Sequence, residues 1–444
     1  MKSSALLKQG YLHLCDDVKL RKEYFGGLVF NTKTGTTLEV DDEAFQLLWN
    51  IKQSNGVHTD SLLKQKQMHD VIALFLSMEV IVLSESDLVM SLRSKDMIMK
   101  HNRLQVPDEN LQTFALSAPE TVHMAVTYRC EENCLDCYAR GYPADKELDT
   151  IEICGIITDI AKQGVFQLAI GGGEPFLRSD LYEIVRHATE QGLVVHITTG
   201  QYAFNAQLAE VLKYAKSLHV GIRSESLIAD VDSTMESLKL LAKQTLKSDT
   251  LIGANLIITR FTINNLHRLV ELLVSCGVQR LIFLRYKPIK NIARWQSQNP
   301  GKEELRIFEE ELLHIKSNYP QIMIRLDCAS AFLMKDMDDA VAFKAGIKGC
   351  VAGDRIMSVS PDGSVYPCSQ LVGVDFNAGN LMYNSLRKIW HDSNVLNNYR
   401  NFRQGSSFKS SVCGNCTASS FCGGCRIFAE DTLGGESHCP ILWE

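Results

Sequence analysis

Between residues 121 and 326, the sequence alternates short apolar runs with amphipathic stretches at intervals of about 30 residues. The first amphipathic stretch has helical spacing, because Ile153, Ile156, Ile157 and Ile160 fall on one stripe. Repeated strand–helix units imply a parallel sheet with helices outside it. We therefore predict an α/β fold with a partial (β/α)6 barrel, whose chemistry should lie at the carboxyl ends of its strands. The predicted strands are 121–127, 165–170, 194–198, 218–222, 252–258 and 278–284.

Three cysteines follow the first predicted strand in the pattern Cys-x3-Cys-x2-Cys, at Cys130, Cys134 and Cys137. Three thiolates can hold three irons of a cubane cluster and leave the fourth iron without a protein ligand. Electron carriers of the ferredoxin type instead close the cluster with a fourth cysteine. The pattern therefore indicates a cluster that can bind a small molecule, and a three-cysteine zinc site is the alternative.

The next predicted strand runs into Gly171, Gly172, Gly173, Glu174 and Pro175. Together with the cysteine pattern, this loop resembles the radical S-adenosylmethionine (SAM) enzymes, in which the open iron chelates the amino and carboxylate groups of SAM. The resemblance implies that residues 172–175 contact the methionine part of SAM. A glycine loop lets a ligand approach the backbone closely, and the carboxylate adds an acceptor for an ammonium group.

The same resemblance suggests three further SAM contacts. Tyr138 is a candidate on the cysteine loop, where the family commonly has an aromatic or hydrophobic residue before the last cysteine and this chain has Asp136. Ser224, or Glu225 beside it, follows the fourth predicted strand, where a polar residue usually holds the ribose; a solvated loop is the alternative. Arg285 ends the sixth predicted strand and is a candidate for the SAM carboxylate, which a guanidinium can pair with bidentately. A surface salt bridge is the alternative for Arg285.

A second set of cysteines occupies the C-terminal segment. It resembles the SPASM extension, which holds two auxiliary iron-sulfur clusters in radical SAM enzymes that act on peptides and proteins. The family usually has three residues between the last two cysteines of the central quartet, and this chain has two. A pair of zinc knuckles is the alternative. The resemblance implies an outer cluster on Cys413, Cys416, Cys422 and Cys439, and an inner cluster on Cys350, Cys368 and Cys425.

Two cubanes need eight ligands, and this motif supplies seven cysteines. Cys328, which lies 22 positions before Cys350, is the only spare cysteine near the motif. If it is a ligand, the inner cluster is an electron relay. If it is a buried thiol, the open iron can bind a substrate cysteine and favour a thioether product. The spacing is longer than the family uses for an extra ligand, which favours the open site.

The first 100 residues are predicted to contain strands at 11–15, 24–30 and 36–40, followed by three helices, one capped by Asp41 or Asp42 and two at 61–67 and 70–78. This order resembles the winged-helix-like RiPP recognition element, which binds the leader of a ribosomally made peptide. Such a domain can add an extended leader to a strand edge. DNA binding is the alternative, but the segment lacks the basic face that phosphate contacts need.

Composition excludes other classes of partner. The chain has 46 lysines and arginines against 52 acidic residues, without a basic block, so we expect no nucleic-acid partner. We expect no membrane, because the longest apolar run, 71–83, is too short to span one. Residues 1–20 lack the apolar core of a secretion signal, and 14 cysteines in an unsecreted chain are better explained by metal than by disulfides. We therefore predict a cytoplasmic protein.

These inferences divide the chain into a recognition element at 1–100, a linker at 101–118, a radical SAM core at 119–327 and a SPASM domain at 328–444. The resemblance implies SAM and three [4Fe-4S] clusters as cofactors. It also implies two partners, a precursor peptide with an N-terminal leader and an external reductant such as flavodoxin or ferredoxin.

The function implied is the formation of an intramolecular crosslink in the precursor, a thioether in preference to a carbon–carbon bond, as in sactipeptide or ranthipeptide synthases. A 5′-deoxyadenosyl radical would take hydrogen from the peptide. One alternative is an anaerobic sulfatase-maturating enzyme, but that group has an aspartate after the second SPASM cysteine where this chain has Ser369. The other alternative is a non-catalytic electron-transfer protein.

Overall fold

The computed structural model divides the chain into two compact units, Met1–Ser117 and Ala118–Glu444. The residues that it describes are 9–62, 68–84, 115–132, 134–142, 146–201, 206–338, 347–429, 431, 433–437 and 439–440.

The first unit contains two three-stranded antiparallel sheets. The strands are β1 Tyr11–Leu14, β2 Val18–Glu23, β3 Gly26–Asn31, β4 Thr36–Val40, β5 Val57–His58 and β6 Ile81–Ser84, and the helices are α1 Asp42–Gln53, α2 Thr59–Leu62 and α3 Met68–Ser77. In one sheet β2, β3 and β4 follow each other, and in the other β1 lies between β5 and β6.

Helix α1 forms for the reason that the sequence suggests. Asp41 caps it by accepting a 2.9 Å hydrogen bond from the Ala44 amide. Its apolar stripe, which includes Leu48 and Ile51, is buried in the core of this unit. The predicted strands at 11–15, 24–30 and 36–40 correspond to β1, β3 and β4, whereas β2, β5 and β6 were missed. Residues 63–67 of one predicted helix and residues 101–114 of the predicted linker lie outside the described residues.

The second unit is built on one ten-stranded sheet, in the order β13-β12-β11-β10-β9-β8-β7-β14-β15-β16. Strands β7 to β13 pair in parallel, which confirms the predicted α/β barrel and adds a seventh strand. The strands are β7 Thr121–Thr127, β8 Gln167–Gly172, β9 Val194–Thr199, β10 Ser217–Ile222, β11 Leu251–Ile258, β12 Arg280–Arg285, β13 Met323–Leu326, β14 Ile356–Val359, β15 Ser364–Tyr366 and β16 Gly379–Asn380.

Helices cover the outer face of this sheet. The predicted stripe of isoleucines is buried on α4, and Asp149 and Glu152 form a capping box at its start. The helices are α4 Thr150–Lys162, α5 Leu181–Glu190, α6 Ala206–Leu212, α7 Ser224–Ala229, α8 Val231–Lys247, α9 Arg260–Asn264, α10 Leu266–Ser275, α11 Ile292–Gln298, α12 Lys302–Asn318, α13 Leu386–Asp392, α14 Asn394–Arg400 and α15 Ser406–Lys409.

The barrel strands present alternate residues to the helices and to the lumen. On β12, Leu281 and Phe283 are fully buried, and Phe283 stacks edge-on against Phe308 of α12 at 5.3 Å. Ile282 and Leu284, on the opposite face, are only partly buried. The lumen is therefore an accessible space, and the apolar core lies between sheet and helices.

The C-terminal segment joins the same sheet. Strand β14 pairs in parallel with β7, and β15 and β16 extend the sheet in antiparallel fashion. Glu120 and Arg355 form an ion pair just before these two paired strands. The barrel and the cysteine-rich segment thus share one continuous sheet. Among the helices of the described residues, none is long and apolar enough to cross a bilayer.

Candidate active site

The three cysteines of the first motif lie on the loop after β7, at the carboxyl end of the barrel. Cys130 is exposed, and Cys134 and Cys137 are partly buried. The three thiols are close enough to influence each other: burial is the main cause that raises the pKa of Cys130, and Cys134 and Cys137 add to it. This loop can therefore present three sulfurs to one cluster while leaving one side open.

The glycine loop after β8 packs tightly against the chain that leads into the cysteine loop. The amides of Gly173 and Glu174 donate 2.8 Å hydrogen bonds to the carbonyls of Thr127 and Arg129. A β-carbon on Gly172 would stand 2.3 Å from the Thr127 carbonyl oxygen, and one on Gly173 would stand 2.2 Å from that of Arg129. Gly172 also has a φ of +112°, which favours glycine. These glycines are needed for the close approach of two backbones.

Glu174 connects the ends of β8 and β9. Its carboxylate accepts 2.9 Å hydrogen bonds from the Thr199 hydroxyl and the Gly200 amide, and a 3.1 Å bond from the Phe176 amide. It is almost fully buried, and burial raises the pKa of the carboxyl although these hydrogen bonds oppose that effect. Glu174 therefore orders the loop beside the predicted SAM position.

An acidic residue fastens the cysteine loop to the opposite side of the barrel mouth. Asp136 accepts hydrogen bonds from the Tyr286 hydroxyl at 2.6 Å and from Arg294 Nε at 2.8 Å. Arg294 also pairs with Glu225 at 2.8 Å. Asp136 thus has a structural reason to replace the aromatic residue that the family commonly has there.

A cavity opens between this loop and the segment after β12. Residues of the cysteine loop, Asp136 and Cys137, line one side, and Lys287 and Asn291 line the other. Gln370, two residues after Cys368, closes it from the C-terminal segment, and its Oε1 atom is buried without a hydrogen-bond partner.

Two of the other predicted SAM contacts lie at this mouth. Tyr138 is partly buried, and burial raises the pKa of its hydroxyl, an effect to which Cys137 and Cys368 both add, so it lies between the two cysteine regions. Ser224 begins α7 and accepts a 3.1 Å hydrogen bond from the Thr262 hydroxyl. Their contacts with SAM remain predictions.

Arg285 is held by the C-terminal segment. Its Nη2 lies 2.5 Å from Glu436 Oε1, and its Nη1 donates a 3.2 Å hydrogen bond to the Ala329 carbonyl. The guanidinium lies 4.0 Å from the centre of the Phe428 ring and 4.7 Å from that of Phe332. Any role with the SAM carboxylate would require this buried ion pair to open.

A largely buried cation, Lys287, lies close to Cys368 and Cys425 of the inner set of cysteines. Cys350 and Cys425 are buried, Cys368 is partly buried, and burial together with Cys350 raises the pKa of the Cys425 thiol to about 12 although Lys287 opposes it. Lys287 pairs with Asp327 at 2.6 Å. Cys328 follows Asp327 and is exposed as a residue, although loss of water around its sulfur, together with Cys350, Asp327 and Cys425, raises the pKa of its thiol. The structure therefore brings Cys328 to the inner set.

The outer set lies around Glu436. Cys416, Cys422 and Cys439 share one apolar cluster, and burial raises the pKa of Cys422 to about 11. The Glu436 amide lies 3.2 Å from Cys413 Sγ, and its carboxylate accepts a 3.0 Å hydrogen bond from the Cys425 amide. Glu436 is thus a buried link between the two sets.

These thiols suit iron-sulfur clusters by donor type, because such clusters are held by cysteine thiolates. No group of three His, Cys, Asp or Glu side chains in the described part of the chain is arranged around a single metal ion. Sequence reasoning missed Glu436, Lys287 and Arg294. Glu436 has no local sequence signal, whereas Lys287 lies three residues after the predicted strand 278–284, close to the strand ends where functional residues collect.

Two family models match the chain. Residues 124–253 match the radical SAM superfamily, and residues 350–417 match SPASM, an iron-sulfur cluster-binding domain. These ranges contain the two cysteine regions, apart from the last cysteines of the second.

Relatives are similar over most of their length. The chain is 27% identical over 356 residues to the PqqA peptide cyclase of Rhodopseudomonas palustris, covering 74% of this chain and 88% of that protein. It is 26% identical over 343 residues to the mycofactocin maturase MftC of Mycolicibacterium smegmatis, covering 74% and 84%. The crystal structure of Streptococcus suis SuiB bound to the precursor peptide SuiA is similar in fold, with a TM-score of 0.71 at 15% identity and coverage of 96% and 99%.

Proposed function

Because the chain belongs to the radical SAM superfamily and carries a SPASM domain, it is an enzyme, and we propose that it crosslinks a ribosomally made precursor peptide. The names of its relatives, a peptide cyclase and a maturase, support this class of substrate. Membership of this superfamily disfavours the alternative of a non-catalytic electron-transfer protein.

The observation that carries the proposal is the cavity between the two cysteine regions. Cys137 borders it on one side, and Gln370, beside the inner SPASM cysteines, borders it on the other. A peptide residue bound there lies between the radical source and a potential electron acceptor. The unpaired Oε1 of Gln370 is suited to accept a hydrogen bond from a peptide N–H.

We propose three [4Fe-4S] clusters, on the loop cysteines, the inner set and the outer set. With SAM bound, the loop cluster would supply a 5′-deoxyadenosyl radical, which removes one hydrogen atom from the peptide. Formation of the crosslink would remove a second hydrogen from the peptide as a proton and an electron, and clusters held by the inner and outer cysteines would be able to accept that electron. An external reductant such as flavodoxin or ferredoxin would supply the first electron, in the cytoplasm.

The bond formed depends on Cys328. Its position among the inner thiols favours a fully ligated inner cluster, in contrast to the open site that its spacing suggested. A ligated cluster can serve both a thioether and a carbon–carbon crosslink, whereas an open iron would favour the thioether.

We further propose that the first unit binds the leader. Its sheet β2-β3-β4 has two outer strands, which can pair with an extended peptide by main-chain hydrogen bonds. Removing residues 1–100 should abolish tight leader binding and leave slow, uncoupled SAM cleavage. Equal turnover of full-length precursor by the shortened enzyme would contradict the leader role.

To test the proposed function, the genes next to this one are searched for a short open reading frame that encodes a candidate precursor. Its peptide, incubated anaerobically with the reconstituted enzyme, SAM and dithionite, should lose the mass of two hydrogen atoms, and fragmentation should locate the crosslink. The same peptide without its leader is the matched control and should react far more slowly. Production of 5′-deoxyadenosine with no change in any candidate peptide would count against a peptide substrate.

A further inference from the structure

A second polar region lies in the barrel lumen, on the faces of β9 to β13. Strand alternation puts Leu281 and Phe283 of β12 against the helices, so Arg280 is on the lumen face. On β13, Ile324 and Leu326 pack against the same core, which puts Arg325 in the lumen as well. Two guanidinium groups thus share one interior space.

Arg280 is the unusual member of this region. Its side chain is only 6% exposed, and its Nε atom is buried without a hydrogen-bond partner. Burial and the neighbouring charge of Arg325 lower the pKa of this guanidinium to about 10. Among the described residues, no carboxylate contributes to that environment. A buried cation without an anion is costly, because neither water nor a counter-charge compensates it.

The residues of the neighbouring strands form the wall beside Arg280. In the parallel register, Gly253 lies between His219 and Arg280. A β-carbon on Gly253 would stand 2.5 Å from the His219 ring, so this ring lies over the glycine toward the arginine strand. His219 Nδ1 lies 3.2 Å from Asn255 Oδ1, and His196 bonds to Ser217 at 2.7 Å. The polar groups around Arg280 are thus fixed by their own hydrogen bonds.

We propose that Arg280 and Arg325 bind an oxyanion in the lumen, with His219 forming part of the wall. A guanidinium pairs bidentately with a carboxylate or a phosphate, and two of them on adjacent strands provide the charge that such a ligand needs. The ligand is either a free inorganic anion or the carboxylate of a bound substrate side chain. This site is separate from the cysteine loop, and its test does not depend on catalysis.

The experiment measures the thermal midpoint of the reconstituted enzyme, without SAM, at constant ionic strength. Phosphate, sulfate and N-acetylglutamate amide are titrated separately, because a ligand that binds the folded state raises the midpoint saturably. We expect a saturable rise in the native enzyme and at least a tenfold weaker apparent affinity in Arg280→Gln. Arg268→Gln, an exposed change on α10, is the matched control and should bind as the native enzyme does.

The three separate titrations also identify the source of the ligand. A response to phosphate or sulfate alone indicates a free anion, and a response to the carboxylate indicates a substrate side chain. If Arg280→Gln does not fold, Arg280→Lys and Arg325→Gln replace it, and both should weaken binding. A saturable rise that is equal in native and variant enzymes, or only a linear salt effect in all of them, would overturn the proposal.

Discussion

The cysteines of the loop after β7 are more open to solvent than most of the cysteines of the C-terminal segment, where only Cys368 and Cys416 of the two SPASM sets are partly buried. On the loop, Cys130 is exposed, and its two partners are only partly buried. In the C-terminal segment, Cys350, Cys413, Cys422, Cys425 and Cys439 are all buried. The difference corresponds to two tasks, because a cluster that binds SAM needs an open side, whereas a cluster that only passes electrons can be enclosed.

The two regions are also held differently. The loop is fastened at the mouth by Asp136 through Arg294 and Tyr286, which are partly or largely buried. The C-terminal cysteines are fastened by Glu436, whose carboxylate is buried beside Arg285. We therefore expect changes in the loop to affect chemistry most, and changes in the C-terminal segment to affect stability as well.

The largest effect should come from replacing Cys130, Cys134 and Cys137 together by alanine. The variant should lose about four of roughly twelve irons and all formation of 5′-deoxyadenosine, because the site that binds SAM is lost. It should remain folded, since none of the three cysteine side chains is fully buried. Iron analysis, product chromatography and circular dichroism measure these outcomes, with Cys422→Ala as the buried comparison. Zinc in place of iron, or unchanged iron content, would refute the cluster assignment.

Glu436→Gln should lower the free energy of unfolding by about 3–5 kcal/mol, because it leaves the Arg285 guanidinium buried without its counter-charge. The matched control is Glu310→Gln, which removes an exposed ion pair with Arg306 and should lower the free energy of unfolding far less. Denaturant unfolding under anaerobic conditions compares the two. Similar losses in both variants would show that the buried pair has no special role.

Cys328→Ala should show whether the inner cluster is fully ligated by cysteines or has an open iron. If Cys328 is a ligand, the variant loses iron or shows an altered electron paramagnetic resonance signal from the inner cluster, while SAM cleavage continues at the loop. Cys276→Ala, at a buried cysteine on the outer side of the barrel, is the control and should change neither. Full iron content and unchanged spectra in Cys328→Ala would instead show that Cys328 is not a ligand and that the inner cluster has an open iron.

The smallest expected effect concerns the stability of the folded protein at acidic pH. Burial lowers the pKa of His196 to about 3, from 6.5 in the unfolded chain. Between pH 3 and pH 6.5 only the unfolded state binds a proton at His196. The contribution of the neutral His196 side chain to stability is therefore complete above pH 6.5 and declines as the pH falls toward 3. His196→Gln should therefore reduce the loss of stability between pH 6 and pH 4 by about 1.4 kcal/mol per pH unit. Thermal midpoints measured against pH test this, with the exposed His267→Gln as control. An unchanged pH slope in His196→Gln would show that this imidazole does not control acid stability.

Local patterns predicted the parts of the structure that depend on local sequence. Strand β7 was predicted with its observed bounds, because apolar residues alternate there up to the cysteine loop. Strand β2 was missed, since Lys19, Arg21 and Lys22 stand next to its buried Val18 and Leu20 and hide the alternation. The cysteines could be found because metal ligands have characteristic spacings. The pair of Arg285 with Glu436 could not, because 150 intervening residues leave no pattern that connects them.

The pairing of β7 with β14 has a consequence for synthesis of the chain. Strand β7 begins at Thr121, but its partner on one side begins at Ile356, more than two hundred residues later. While the ribosome is still making the barrel helices, one edge of β7 has no neighbour and is open to pairing with other chains. Contacts between such distant residues also slow folding. A chaperone that shields this edge should therefore raise the yield of native protein more than one that acts on the finished chain.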